Sequence, residues 1–142
     1  MRIKKQYLAT CAVVFMTSIA GSLWADSTKA SNALKAADAW LSMVDAGKYS
    51  ESWQDASNFF KSAVGESQWE ASLNAARKPL GKVLSREAVS KTYTKTLPGA
   101  PDGEYVVIQY RTSFENKGSA VETVTPSLEK DGRWRVSGYY IK

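Results

Sequence analysis

The hydrophobic period of the chain changes once, near Lys82, and that change limits the fold more than any other feature. Before it, apolar residues recur at steps of three and four, the spacing of a helix face; after it, they alternate, as strands do. Ser27 to Ala46 sets Ala30, Ala33, Leu34, Ala37, Trp40, Leu41 and Val44 on one stripe, with Gly47 as a stop. Tyr49 and Ser50 open a second helix with Trp53, Ala56, Phe59, Phe60, Ala63 and Val64 on one side, closed by Gly65. A third starts in "SQWE", where Ser67 and Glu70 have the spacing of a reciprocal capping box. Its stripe is Trp69, Leu73, Ala76 and Leu80, and Pro79-Leu80-Gly81 ends it. Trp40, Trp53 and Trp69 are expected in the core, since large aromatics on apolar stripes fill interiors.

Four strand-like runs follow. "VLSREAVSKTYTKT" is rich in β-branched residues and alternates loosely, which predicts a bent or bulged strand. "EYVVIQYRTSFEN" is the clearest strand, with Val106, Ile108, Tyr110, Thr112 and Phe114 on one face and Tyr105, Val107, Gln109, Arg111 and Ser113 on the other. "AVETVTPSLEK" returns after a loop at Asn116 to Ser119, and Pro126 marks a bulge or an edge because it cannot donate to a ladder. "WRVSGYYIK" is the last strand, with Trp134 and Tyr140 read as sharing a buried face; "KDGR" before it offers Gly132 for a left-handed position. Between the first two strands, Pro101-Asp102-Gly103 reads as a structural corner, with Gly103 expected at positive φ. Helices followed by antiparallel strands argue for an α+β domain: three N-terminal helices packed on one face of a curved sheet of about four strands.

The N-terminus carries Arg2, Lys4 and Lys5, then the apolar run Leu8 to Leu23, then "WADS" with the small residue Ala25. A charged start, a short apolar stretch and a small-residue exit predict a secretory signal peptide over 1–25 and a single domain over 26–142. The apolar run is short for a bilayer span, so no stable membrane insertion is expected after cleavage. Removing 25 of the 142 residues leaves 117, and since three of 19 basic residues go while all 14 acidic ones stay, the net charge falls from +5 to +2. That charge, without a Lys/Arg cluster, gives no footprint for nucleic acid. The one cysteine, Cys11, leaves with the leader, so an exported mature chain has no disulfide and rests on its core alone.

The absence of histidine and, after cleavage, of cysteine excludes triad nucleophiles and zinc sites of the usual type. No metal and no cofactor is expected: there is no phosphate loop, no dinucleotide fingerprint and no calcium loop. Carboxylates, Lys, Arg, Tyr and Ser are what is left for chemistry. Arg77 and Arg86 flank the helix-to-strand junction, where a guanidinium could hold a carboxylate ligand or brace helix-end carbonyls. With the hairpin loop at Asn116 to Ser119, Ser113 faces Glu122, and Arg111 lies diagonally beside Glu122 on the same face. That pair is either a solvated ion pair or, with Tyr105 and Gln109, the polar part of a pocket.

The segments "AWLSMVDAGKYSESW", "QWEASLNAARKPLGKVLSRE", "LPGAPDGEYVVIQYRTSFENK", "ETVT" and "DGRWRVSGYYIK" together resemble the domain-of-unknown-function 4019 family of exported bacterial proteins, from about Ala39 to Lys142. The resemblance implies a bacterial, periplasmic protein and carries no catalytic residue with it. The element order is also similar to the nuclear-transport-factor-2-like fold, which implies a cone-like sheet. Two functions are then open: a non-catalytic module that binds a small molecule or protein through Arg111, Glu122, Tyr105, Gln109, Arg77 or Arg86, and a cofactor-free isomerase or hydratase with a pocket carboxylate as base.

Overall fold

A computed structural model describes residues 20–142. The charged start and most of the apolar run of the expected leader lie outside these residues. Four helices precede four strands: α1 (Ala20–Asp45), α2 (Tyr49–Gln54), α3 (Asn58–Ala63), α4 (Glu66–Ala76), a 3-10 turn at Lys78–Leu80, then β1 (Val83–Thr94), β2 (Tyr105–Phe114), β3 (Lys117–Leu128) and β4 (Trp134–Ile141). The strands form one open antiparallel sheet in the order β1-β2-β3-β4. This is an α+β architecture, and α1 touches all four strands.

The α1 stripe buries Ala33, Ala37, Trp40, Leu41 and Val44 against the sheet. Gly47, at φ 75°, ends the helix: its N–H donates to Val44 O at 3.0 Å and the next N–H, of Lys48, to Met43 O at 2.9 Å. This is the paired closure that favours glycine after a helix. The expected second helix is two. Ser57 takes an extended conformation and caps α3, its Oγ accepting from Phe60 N at 3.1 Å, while its own N–H donates to Val136 O on the edge of β4 at 2.9 Å. A good cap and an unsatisfied strand edge together outweigh helix continuation. The capping box in "SQWE" does not form. Gly65 is the N-cap of α4, Ser67 lies inside the first turn, and Glu66 accepts instead from Ser50 Oγ on α2.

Trp40, Trp69, Phe60 and Tyr139 form one aromatic cluster, with ring centroids 5.0 to 6.3 Å apart and mostly edge-on. Ser52, fully buried, collects two indoles: Trp40 Nε1 donates to its carbonyl at 2.8 Å and Trp69 Nε1 to its hydroxyl at 3.0 Å. Trp53 packs on the rim and donates to Val64 O at 2.7 Å. Such rings bring large apolar area while their N–H groups find partners.

β1 is bulged twice, between Val83 and Ser85 and between Ala88 and Ser90. Pro126 is buried at a bulge of the inner strand β3, where the register against β4 shifts between Thr125 and Pro126. That bulge changes the face of β4 midway. Val136 points inward opposite Pro126, and beyond it Tyr139, not Tyr140, points inward opposite Val124. Tyr140 is therefore 60% exposed, on the face opposite Trp134, and the shared buried face expected for the two is corrected. The corner before β2 also differs. Gly99, not Gly103, has the positive φ, because Leu97 to Ala100 is the tight turn, with Pro98 and Gly99 at its centre.

Candidate functional site

Along β3 the residues Ala120, Glu122, Val124 and Pro126 point into the core, so a carboxylate sits in an otherwise apolar row. Glu122 is completely buried, and its donors come from each of the other three strands. Arg86 Nε on β1 donates to Oε1 at 2.8 Å, Thr112 on β2 donates to the same oxygen at 2.6 Å, and the Tyr139 hydroxyl on β4 donates to Oε2. The Arg86 guanidinium reaches on to Asp45 at the end of α1, with Nη1–Oδ2 2.6 Å and Nη2–Oδ1 3.0 Å. Arg77, buried at the end of α4, donates to Asp45 Oδ1 at 3.1 Å and to Gly81 O at 2.7 Å, with its guanidinium 4.5 Å from the Phe114 ring centre. The result is a chain of two carboxylates and two guanidiniums, of zero net charge, tying α1, α4, β1 and β3 together.

The electrostatics follow from this closure. Burial by itself lowers the pKa of Arg86, but hydrogen bonds to Asp45 and Glu122 and their charges outweigh it and hold the guanidinium above its ordinary value. Burial and then the Glu122 charge push the Tyr139 phenol well up. Tyr110, which donates to Asp38 Oδ1 at 2.8 Å, is pushed up by burial and by that bond. Both phenols are locked in the neutral form, and Arg86 in the charged one.

Two clefts lie near the chain. One, of about 720 Å³ and open to solvent, has Asp45, Lys48, Glu70, Asn74, Lys82 and Glu115 among its lining. The other, of about 300 Å³ between α1 and β1, is lined by Asp38, Arg86 and Tyr110 with Leu34, Leu41 and Ala88. Glu122 lines neither. Among the described residues no group of three or more acidic side chains could hold a metal ion, and no helix is long and apolar enough to cross a membrane.

The residues singled out from the sequence separate into three places. Arg77, Arg86 and Glu122 come together in the buried chain. Tyr105 is buried at the start of β2, its hydroxyl donating to Pro101 O at 2.5 Å. Arg111 and Gln109 are exposed on the opposite, helix-free face of the sheet. The expected pairing of Ser113 with Glu122 is corrected: the turn is the two residues Glu115 and Asn116, and Tyr110 lies opposite Glu122. A register displaced from Ser113 to Tyr110, by an odd number of residues, sends Arg111 to the other face. Asp45, Thr112 and Tyr139 complete the chain and were not anticipated; the inward parity of Glu122 with Ala120 and Val124 was the available signal.

The helix-free face has its own order. Arg111 lies between Glu87 on β1 and Val121 on β3, and Gln109 between Ser90 and Thr123, with Tyr140 beyond Thr123 on β4. Val121 is 40% exposed, and no ion pair joins Glu87 to Arg111 among the described residues.

Residues 36–139 match the family model described as "Protein of unknown function (DUF4019)". No curated protein matches the chain significantly.

Proposed function

The chain belongs to the domain-of-unknown-function 4019 family, and on that footing we propose that it is an exported, periplasmic, non-catalytic interaction module that meets its partner through the helix-free face of the sheet. The observation that carries this reading is the segregation of polar groups. Those buried enough for unusual chemistry pair with one another in the Glu122–Arg86–Asp45–Arg77 chain, with Arg77 Nε alone left without a partner among the described residues, while Arg111 and Gln109 stand exposed beside Val121 and Tyr140. An isomerase or hydratase would need a carboxylate free to take a proton in a cleft. Glu122, with three donors on its two oxygens and no exposure, does not favour that alternative.

Export rests on the sequence of the first 25 residues; the mature chain from a periplasmic fraction is expected to begin at Asp26, and intact Met1 in a membrane pellet overturns it. Such a mature chain has no cysteine, so single introduced thiols report each surface cleanly. Val121→Cys is expected to be shielded from a maleimide in cells with permeabilised outer membranes and reactive in dilute purified protein. Asn74→Cys, in the large cleft, should react in both. The reverse pattern removes the sheet face from consideration.

A further inference from the structure

We propose that the partner on the helix-free face is a second copy of this chain, packed sheet on sheet about a two-fold axis running along the strands between β2 and β3. This rests on the reading of that face as the interaction surface and names its occupant.

Size comes first. Four strands about 4.8 Å apart, with about seven residues of each on the open part of the face, give a flat footprint of roughly 440 Å², which side-chain relief brings near the ~600 Å² per partner at the low end of specific interfaces. One end of the face is closed by the chain itself, where Leu97 to Ala100 and Phe59 line a cavity with Tyr105, Thr125 and Gly138; two sheets of this kind pack within about 30° of parallel, so the part left open can be covered at once.

The arrangement of side chains then selects the axis. Val121 and Lys142 exchange both backbone hydrogen bonds, at 3.0 and 2.9 Å, so they are directly opposed and share a face. One row across the sheet is therefore Glu87, Arg111, Val121, Lys142, and a neighbouring row is Ser90, Gln109, Thr123, Tyr140. A two-fold axis along the strands at the centre exchanges β1 with β4 and β2 with β3. Glu87 then meets Lys142 of the second copy, and the aliphatic stem of Arg111 lies over the second copy's Val121. Tyr140 lies over Ser90 and Gln109 over Thr123, so the large ring meets a small residue and the amide meets a hydroxyl. An axis across the strands through the first row would instead set Glu87 on Glu87 and Arg111 on Arg111. The face is self-complementary in charge and size about one axis and self-repelling about the other, the property an isologous interface requires.

Sedimentation equilibrium of the mature chain, from about 1 to about 100 μM, tests this. The wild type is expected to dimerise, and Val121→Arg, at the centre, to raise Kd by about thirtyfold or more. Glu87→Lys and Lys142→Glu should each weaken association, roughly three- to tenfold, and the double reversal should restore it. These positions are exposed, so circular dichroism should show every variant folded. A wild type that stays monomeric throughout, or a dimer indifferent to Val121→Arg, overturns the proposal. If the wild type is monomeric yet Val121→Cys is shielded in cells, the sheet face keeps its role with a different protein; if the thiol is unshielded as well, both readings fall.

Discussion

Removing Arg86 is the sharpest test of what the buried chain does. Arg86→Ala deletes the 2.8 Å bond to Glu122 and the 2.6 and 3.0 Å bonds to Asp45. Glu122 would be left with no exposure, its charge faced only by the neutral donors Thr112 and Tyr139. Breaking a buried pair from one side costs about 3–5 kcal/mol, because a charge is stranded without compensation. Asp45, 27% exposed and still bonded to Arg77, moves the expectation to the low end of that range. Against a total stability of about 5–15 kcal/mol, a loss of about 3 kcal/mol is large and should lower Tm by roughly 10 °C or more. Urea unfolding followed by tryptophan fluorescence measures it, since Trp40 and Trp69 both pack against Tyr139. The double variant Arg86→Met, Glu122→Leu should cost less than the sum of the two singles, because it strands neither charge. Arg111→Ala, exposed and outside the chain, should stay within about 0.5 kcal/mol of wild type. A loss below about 1 kcal/mol for Arg86→Ala, with unfolding still cooperative, would show that Glu122 does not depend on Arg86 for its burial.

The raised phenols of Tyr139 and Tyr110 give an alkaline signature. A phenol whose pKa is raised by folding contributes stability that is full below its unfolded pKa, near 10, and lost as pH rises above it. Ultraviolet titration should therefore show these two protonated at a pH where exposed phenols have ionised, releasing only as the fold opens; all tyrosines titrating together near 10 in folded protein contradicts this. Backbone strain separates two glycines. Gly81 has φ 78° and a Cβ there would meet Glu115 Cβ at 3.0 Å, so Gly81→Ala should cost more than about 1 kcal/mol in thermal melts. At Gly103, without positive φ, a Cβ would meet the Tyr105 ring at an ordinary 3.5 Å; Gly103→Ala should be nearly neutral, and a loss equal to that at Gly81 would contradict the assignment of the corner.

Most of the fold was legible in the sequence because it lies in periodicity. The α1 stripe, the inward face of β2 from Val106 to Phe114 and the stop at Gly47 all follow from spacing alone. Misread features depended on one residue in the ladder or one contact between distant segments. Whether the hairpin turn holds two residues or four decides which face carries Arg111 relative to Glu122, and composition barely distinguishes them. The bulge at Pro126 was readable as a bulge, but its consequence, Tyr139 inward and Tyr140 outward, depends on which strand takes the extra residue. The break at Ser57 needs β4, far on in the sequence, whose Val136 carbonyl accepts its N–H. Of the candidate residues, Arg77, Arg86 and Glu122 were identified individually. That they share Asp45 could not be read, since the carboxylate stands on a helix far away in sequence.

The proposed interaction belongs to the open sheet face, and position 121 lies at its centre. Its most direct test is a photo-crosslinking amino acid placed at position 121 on that face, or at position 74 in the large cleft, and activated in living cells. Mass spectrometry of the products is expected to show an adduct from position 121, at twice the mass of the mature chain, and none from position 74. An adduct from position 74 alone, with position 121 unreacted, would contradict it.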